Sequence, residues 1–339
     1  MKKFFLVSIS LLIICLNSFA QESDTLLTSK VQVTFAYPIG SNGLNSLKYS
    51  NNFSLNILFG LNGGVDGAEI GGLMNYNKGE VKWFQLAGIT NINEKQSRGL
   101  ILSGVANIGM DSTSGALISG VFNYSKYAAK GFQLATINVT ATEFSGFQLG
   151  VFNYADKLDG VQLGVVNIVG NVESGVPIGL ITIVKNGGHY EFEATAGEVL
   201  YANINYKMGI EQFYTIFKAG YSSYKSNPVY SYGFGFGGNI PLAEKHKISI
   251  DLSANNIVYD KNWSGELNLL NKADINYKYS LSEKLSLMAG PSFNVYITKE
   301  KIDGEYGTLN IPYTIYTNES TDSKLFMWIG FNAGLSLKL

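Results

Sequence analysis

The sequence predicts an all-β fold, a transmembrane β-barrel, and three observations carry that expectation. The C-terminal third alternates apolar and other residues over strands longer than a globular sheet uses. A strand-length phrase recurs eight times between Gly67 and Ile183. The composition is poor in charge and rich in glycine and aromatic residues.

The N-terminus is read first. Lys2 and Lys3 precede an apolar stretch over residues 4–16, and Ser18-Phe19-Ala20 forms a small-x-small site before Gln21. That is the pattern of a secretory signal peptide cleaved after Ala20. A lipoprotein signal at Cys15 would need a small residue where Ile14 stands. Cys15 is the one cysteine, so the mature chain is expected to lack thiols and disulfides. Charged residues make up 15% of the chain, against about 25% in a typical globular domain. Tyr and Phe number 21 and 20, Gly 38 and Pro 6. After the signal no run of about 18 apolar residues occurs, so no helical span is expected. A net charge of −1 leaves no basic footprint for nucleic acid.

Two strands come next. Val31, Val33, Phe35 and Tyr37 alternate with Gln32, Thr34 and Ala36, then Phe53, Leu55, Ile57 and Phe59 with Ser54 and Asn56. The repeats follow. Their clearest copies read GFQLATINV at 131–139, GFQLGVFNY at 146–154 and GVQLGVVNI at 160–168, with starts 14 to 16 residues apart. A fixed short period means one unit stacked on its neighbours, and this one is too short to include a helix. If each repeat is one wall strand, Phe, Leu and Val face lipid while Gln, Gly and Asn face inward. One detail strains that picture. Gln133 and Asn138 are five residues apart and fall on opposite faces of a regular strand. A bulge could restore the parity. A β-solenoid, whose corners reset the alternation, is the other reading.

The last strand is the clearest. Leu325, Met327, Ile329, Phe331, Ala333, Leu335 and Leu337 oppose Phe326, Trp328, Gly330, Asn332, Gly334 and Ser336. That length exceeds the usual five or six residues and suits a tilted strand crossing an apolar layer, about 9–11 residues. The same alternation fills 285–298 and 267–281, with further candidates at 247–258, 229–237, 213–221 and 199–208. Charges confined to one face suit a polar lumen. The charged stretch 299–324 reads as a long loop with a small hairpin near 309–316. Two N-terminal strands, eight repeats and about eight later strands give roughly 18. The alternative is a barrel of about 10 strands with an inserted solenoid. The segments are then 1–20 signal peptide, 21–66 N-terminal barrel strands, 67–183 repeats and 184–339 C-terminal barrel strands.

The repeat phrase, the stretch VKNGGHYEFEATAGEVLYANINYKMG (184–209) and the stretch ELNLLNKADINYKYSLSEKLSLMAGPSFNVYI (266–297) together resemble the surface-repeat-containing outer-membrane proteins of Gram-negative bacteria. The resemblance covers about residues 53–339. It implies placement in the cell outer membrane and supplies no catalytic residues. Leu339 departs from it, since such barrels usually end in an aromatic residue.

Chemistry-bearing motifs are few. His189 and His246 sit beside turn residues and read as solvated. Glu191 and Glu193 share one strand face and, with Lys207, Lys272, Asp274 and Lys278, are the candidate lumen charges; Lys218 lies beside them. Paired carboxylates can do acid–base work, yet a charged lumen wall is the simpler account. The run Gly233-Phe234-Gly235-Phe236-Gly237-Gly238 mimics a dinucleotide fingerprint, but Pro241 follows where a helix would open, so it reads as a strand. The expectation is a non-catalytic outer-membrane barrel without metal or cofactor, a passive pore or a structural surface scaffold. A surface-exposed binding or adhesion module on a small barrel is the alternative. The expected partners are outer-membrane lipid, the barrel-assembly machinery during biogenesis and small solutes, with no nucleic acid.

Overall fold

The computed structural model describes residues 26–261, 263 and 266–339; the signal segment 1–20 lies outside them. The described chain forms two all-β bodies in sequence, a parallel β-solenoid and an antiparallel barrel.

From Leu27 to Asn186 the chain winds as a solenoid, most repeats making one coil with two short strands. Val81–Ala87, Ser97–Ser103, Thr113–Ser119 and Ala129–Leu134 lie in parallel register on one sheet. The partner strands Met74–Asn77, Thr90–Asn93, Ala106–Gly109 and Phe122–Ser125 stack on a second sheet. Register follows the repeat: Gly99 sits beside Gly115, and Asn91 beside Asn107. Gly115 has φ +104°, and a Cβ there would lie 2.2 Å from the Gly99 carbonyl oxygen. That close approach is why glycine recurs once per coil.

The corner between the sheets resolves the parity problem. Gln133 and Asn138 are both buried in the solenoid interior because the chain turns at Ala135-Thr136 between them. The repeats are therefore not wall strands. Neighbouring strands of an up-and-down barrel run antiparallel, whereas these run parallel, and the expectation of roughly 18 wall strands is corrected. The expectation of N-terminal barrel strands in 21–66 is corrected with it for the described residues from 26 on. Leu27–Ala36 pairs in parallel with Tyr49–Asn62, which pairs in parallel with Gly64–Gly71, so these strands start the solenoid.

After Gly187-Gly188 the pairing changes to antiparallel. His189–Gly197, Ala202–Ile210, Phe213–Tyr224, Asn227–Ala243, His246–Tyr259, Asn268–Ser280, Leu285–Thr298 and Lys324–Lys338 follow one another around the sheet. The first and eighth pair from Glu191↔Lys338 to Gly197↔Asn332, which closes the barrel. The wall has eight strands, fewer than the about 10 of the solenoid alternative, because the two N-terminal strands belong elsewhere. Connections at the solenoid end are all short, at 211–212, 244–245 and 281–284; the opposite end carries the short 198–201 and 225–226 and the two long connections, between Tyr259 and Asn268 and between Thr298 and Lys324. In the long loop the hairpin is Lys301–Ile302 with Glu305–Tyr306, not 309–316, and Tyr316–Glu319 adds to the last strand.

The barrel is apolar outside and polar inside. Ile204, Tyr232, Leu252, Ile275, Phe293 and Phe331 are exposed on its outer wall, while Asn203, Ser253, Asn276, Ser292 and Asn332, one step along the same strands, are buried. Among the described residues no helix is long and apolar enough to cross a membrane.

Candidate functional site

Period-2 alternation aims every second side chain of each barrel strand at the axis. Eight strands leave an interior just wide enough for side chains to fill. Into that space the strands project four carboxylates, Glu191, Glu193, Asp251 and Asp274, and four ammonium groups, Lys207, Lys218, Lys272 and Lys278. The formal charges cancel.

Near the short-turn end, Lys207 Nζ lies 2.7 Å from Glu193 and 2.7 Å from Asp251. Lys278 donates to Glu193 at 2.7 Å and also to Glu191. Tyr214 Oη donates to Asp251 Oδ1 at 2.8 Å, and its ring takes the Lys207 ammonium 4.8 Å from its centroid. Toward the other end, Lys218 reaches Asp274 at 3.2 Å and Ser253 Oγ at 3.2 Å. Lys272 approaches Asp274 at 3.5 Å, and Ser292 donates to the same carboxylate. All six candidate lumen charges thus sit inside the barrel, in two separate clusters: Glu191, Glu193, Lys207 and Lys278 together, Lys272 with Asp274.

Room for these long side chains comes from the fourth strand. Gly233, Gly235 and Gly237 occupy its inward positions, while Phe234 and Phe236 point outward. A Cβ at Gly237 would fall 2.1 Å from Asp251 Oδ1, and one at Gly233 2.2 Å from Asn255 Oδ1. The glycine-aromatic run that imitates a dinucleotide fingerprint is the smooth side of a packed interior.

Lys207, Glu193 and Tyr214 have 0–1% exposure. A water-filled channel would wet them, so the interior is packed here. At the long-loop end Trp328, Tyr296, Leu270 and Ile257 close over the lumen with Leu309 from the loop. Tyr296 Oη bridges to Thr308 Oγ1 at 3.0 Å, and Trp328 Nε1 donates to Glu198 at 2.8 Å.

His189 corrects the solvated-turn expectation. It is buried, 3.6 Å from Glu191 and 3.5 Å from Glu211, against the Tyr214 ring. His246 is half-buried beside Tyr277. Asp251 and Tyr214 were not among the sequence candidates. Asp251 was legible: Ser249, Asp251, Ser253 and Asn255 alternate with apolar or small residues in the fifth strand. Tyr214 was not, because an aromatic residue reads as outward in such a wall. Among the described residues no group of three His, Cys, Asp or Glu is placed to hold a metal ion. Among the described residues, each of the eight charges inside the barrel faces an oppositely charged partner.

No family model and no curated protein matches the sequence. Among solved structures, the solution NMR structure of the de novo designed TMB2.3 is similar at 15% identity. It covers 46% of this chain and 98% of its own, with a TM-score of 0.25; a likeness that slight carries no weight here.

Proposed function

We propose that the protein is an integral outer-membrane β-barrel whose packed barrel anchors a solenoid, a structural scaffold rather than a passive pore. One observation carries this reading: the closed eight-stranded wall exposes Phe, Tyr, Ile and Leu while its interior holds four ion-paired carboxylates and four lysines. In water that arrangement is inverted; in a bilayer it is the expected one. The filled lumen argues against solute passage. Outer-membrane barrels keep short turns on the periplasmic side and long loops outside. The solenoid joins at the short-turn end, so on this reading it faces the periplasm rather than the cell surface. The exposed adhesion module is accordingly not favoured.

The test is purification from membranes followed by reconstitution. The folded barrel should require detergent, show heat-modifiable gel mobility and give no steady conductance in planar bilayers. Protease added to intact cells should spare the solenoid. Recovery of folded protein from the soluble periplasm would sink the membrane reading, and steady conductance would restore the pore.

A further inference from the structure

The solenoid shares the barrel's inverted polarity, and on one side only. The residue at the corner between its two sheets is apolar in nearly every coil: Ile89, Val105, Val121, Val151, Val165 and Leu180 form an exposed ridge along its length. The outward rows flanking this ridge are apolar too, Leu86, Leu102, Ile118 and Leu134 on one sheet, Ile92, Ile108, Tyr124 and Val139 on the other. The opposite turns carry charges, among them Lys95, Asp111, Lys126 and Glu173, joined by Lys130 and Lys157 from the adjoining strands. In cross-section each coil is a wedge with an apolar tip, an amide-rich interior and a charged base.

The junction orients this wedge. Hydrogen bonds between coils run along a solenoid's axis, perpendicular to its strands. In the last coil the Gly179 carbonyl accepts from Thr215 Oγ1 at 2.6 Å. Thr215 points outward from the third barrel strand, between the outward Phe213 and Phe217. Ile210, from the short-turn end of the second strand, packs with Val184, Val169 and Leu158 and, with Phe213, closes the open end of the coil. The solenoid therefore meets the barrel wall side-on, and Leu180, the end of the ridge, emerges next to the barrel's apolar belt.

We propose that the solenoid is a monotopic wedge, lying along the membrane with its apolar corner sunk into the acyl layer of the leaflet at the short-turn end. This rests on the reading of the barrel as membrane-embedded. The depth fits. From Val121 to Tyr124 the chain advances roughly 10 Å at about 3.3 Å per residue, and interfacial segments sink about 5–10 Å. The occupant is lipid rather than a second copy because the ridge runs into a surface that itself requires lipid. The barrel wall also covers the strand edge of the last coil, which would otherwise pair with another chain.

Single-cysteine variants of the mature chain, whose sequence from Gln21 on has no cysteine, test this in vesicles of phosphatidylcholine brominated on its acyl chains. Each carries an environment-sensitive fluorophore: Val121→Cys and Val151→Cys on the ridge, Lys126→Cys on the charged base, Phe293→Cys on the barrel belt. Heat-modifiable mobility checks that each is folded. Loss of most of the emission at 121, 151 and 293, with 126 unaffected, is the expected result. Quenching at 293 without quenching at 121 and 151 overturns the wedge and leaves the barrel reading standing. No quenching at any site overturns both. Ridge sites shielded from lipid, with energy transfer between copies, would assign the ridge to a second copy and overturn the proposal.

Discussion

The barrel and the solenoid both put polar groups inside and apolar groups outside, yet they satisfy those polar groups by different chemistry. In the antiparallel barrel each inward residue faces unlike neighbours, so a lysine can be set between carboxylates, as Lys207 is between Glu193 and Asp251. In the parallel solenoid each residue stacks on its own copy one coil away. Stacked like charges repel, whereas an amide is donor and acceptor at once. Asn75, Asn91, Asn107, Asn123, Asn138, Asn153 and Asn167 accordingly form one ladder of side-chain hydrogen bonds at 2.9–3.0 Å. Topology decides which polar residues an interior can hold.

The largest way to break this contrast is to orphan a charge in the barrel. Lys207→Met leaves the Asp251 carboxylate with Tyr214 alone and removes one of the two lysines on Glu193. Removing one partner of a buried ion pair costs about 3–5 kcal/mol. The double variant Lys207→Met/Asp251→Asn should recover a large part of it. Denaturant unfolding of the barrel in vesicles measures the loss, while amide exchange in the solenoid should be unchanged. A drop below about 1 kcal/mol would mean the lumen is wet enough to screen the charge.

The solenoid interior holds one carboxylate, Glu69, and it sits where the Gln row begins. Asn77 and Gln85 donate to it at 2.7 and 2.9 Å, Asn56 at 3.0 Å, and Asn62 donates as well. Complete burial pushes its pKa from 4.5 up to about 7, against the four amides that favour the charged form. A raised folded-state value means the proton is held more tightly when folded. Its contribution is thus fully present below pH 4.5 and is lost as pH rises through about 7. That is about 3 kcal/mol between those limits. Solenoid unfolding followed by amide exchange should show this slope, and Glu69→Gln should abolish it. An unchanged slope in the variant would assign it to other groups.

A smaller effect is expected from cutting the ladder. Asn123 Nδ2 donates to Asn138 Oδ1 and to the Leu117 and Leu134 carbonyls, each at 3.0 Å, and Asn107 donates to its Oδ1. Asn123→Leu keeps the volume and strands those groups, which costs about 1–3 kcal/mol. Because coils couple to their neighbours, protection should fall in the coils around 107 and 138 and leave the barrel untouched. Loss confined to one coil would show that the ladder is not cooperative.

How far the sequence carried these conclusions depends on the element. The last strand was legible residue by residue: Ile329, Phe331 and Leu335 point out and Trp328, Asn332 and Ser336 point in, because alternation is a local property. The six lumen charges were legible for the same reason. The repeats were legible as strands but misassigned as wall, since apolar-outside, polar-inside alternation looks alike in a barrel and in this solenoid. The discriminating signal was the odd spacing from Gln133 to Asn138, which demands a corner. The expected strands 31–37 and 53–59 carry no such mark, and their parallel pairing is a tertiary fact. His189 was misread because Gly187-Gly188 suggested a solvated turn, when the barrel begins there and turns the ring inward.

The smallest expected effect is a gain, at the one coil where the glycine rule is broken. Gly99, Gly115, Gly131, Gly146 and Gly160 all have positive φ, and Trp83 takes the equivalent place with φ +75°. Positive φ costs a side-chain-bearing residue about 1–2 kcal/mol, and the Trp83 ring, 72% exposed, recovers little by packing. Trp83→Gly relieves that strain but adds the entropy glycine loses on folding, about 0.5–1 kcal/mol. The balance is a stabilisation of roughly 0.5–1 kcal/mol, read as slower amide exchange in the coils on either side, with the barrel again indifferent. Destabilisation instead would show that the indole is held by something outside the chain. On the wedge reading that would be the membrane interface, where Trp is favoured, and the loss should then appear in vesicles and vanish in detergent.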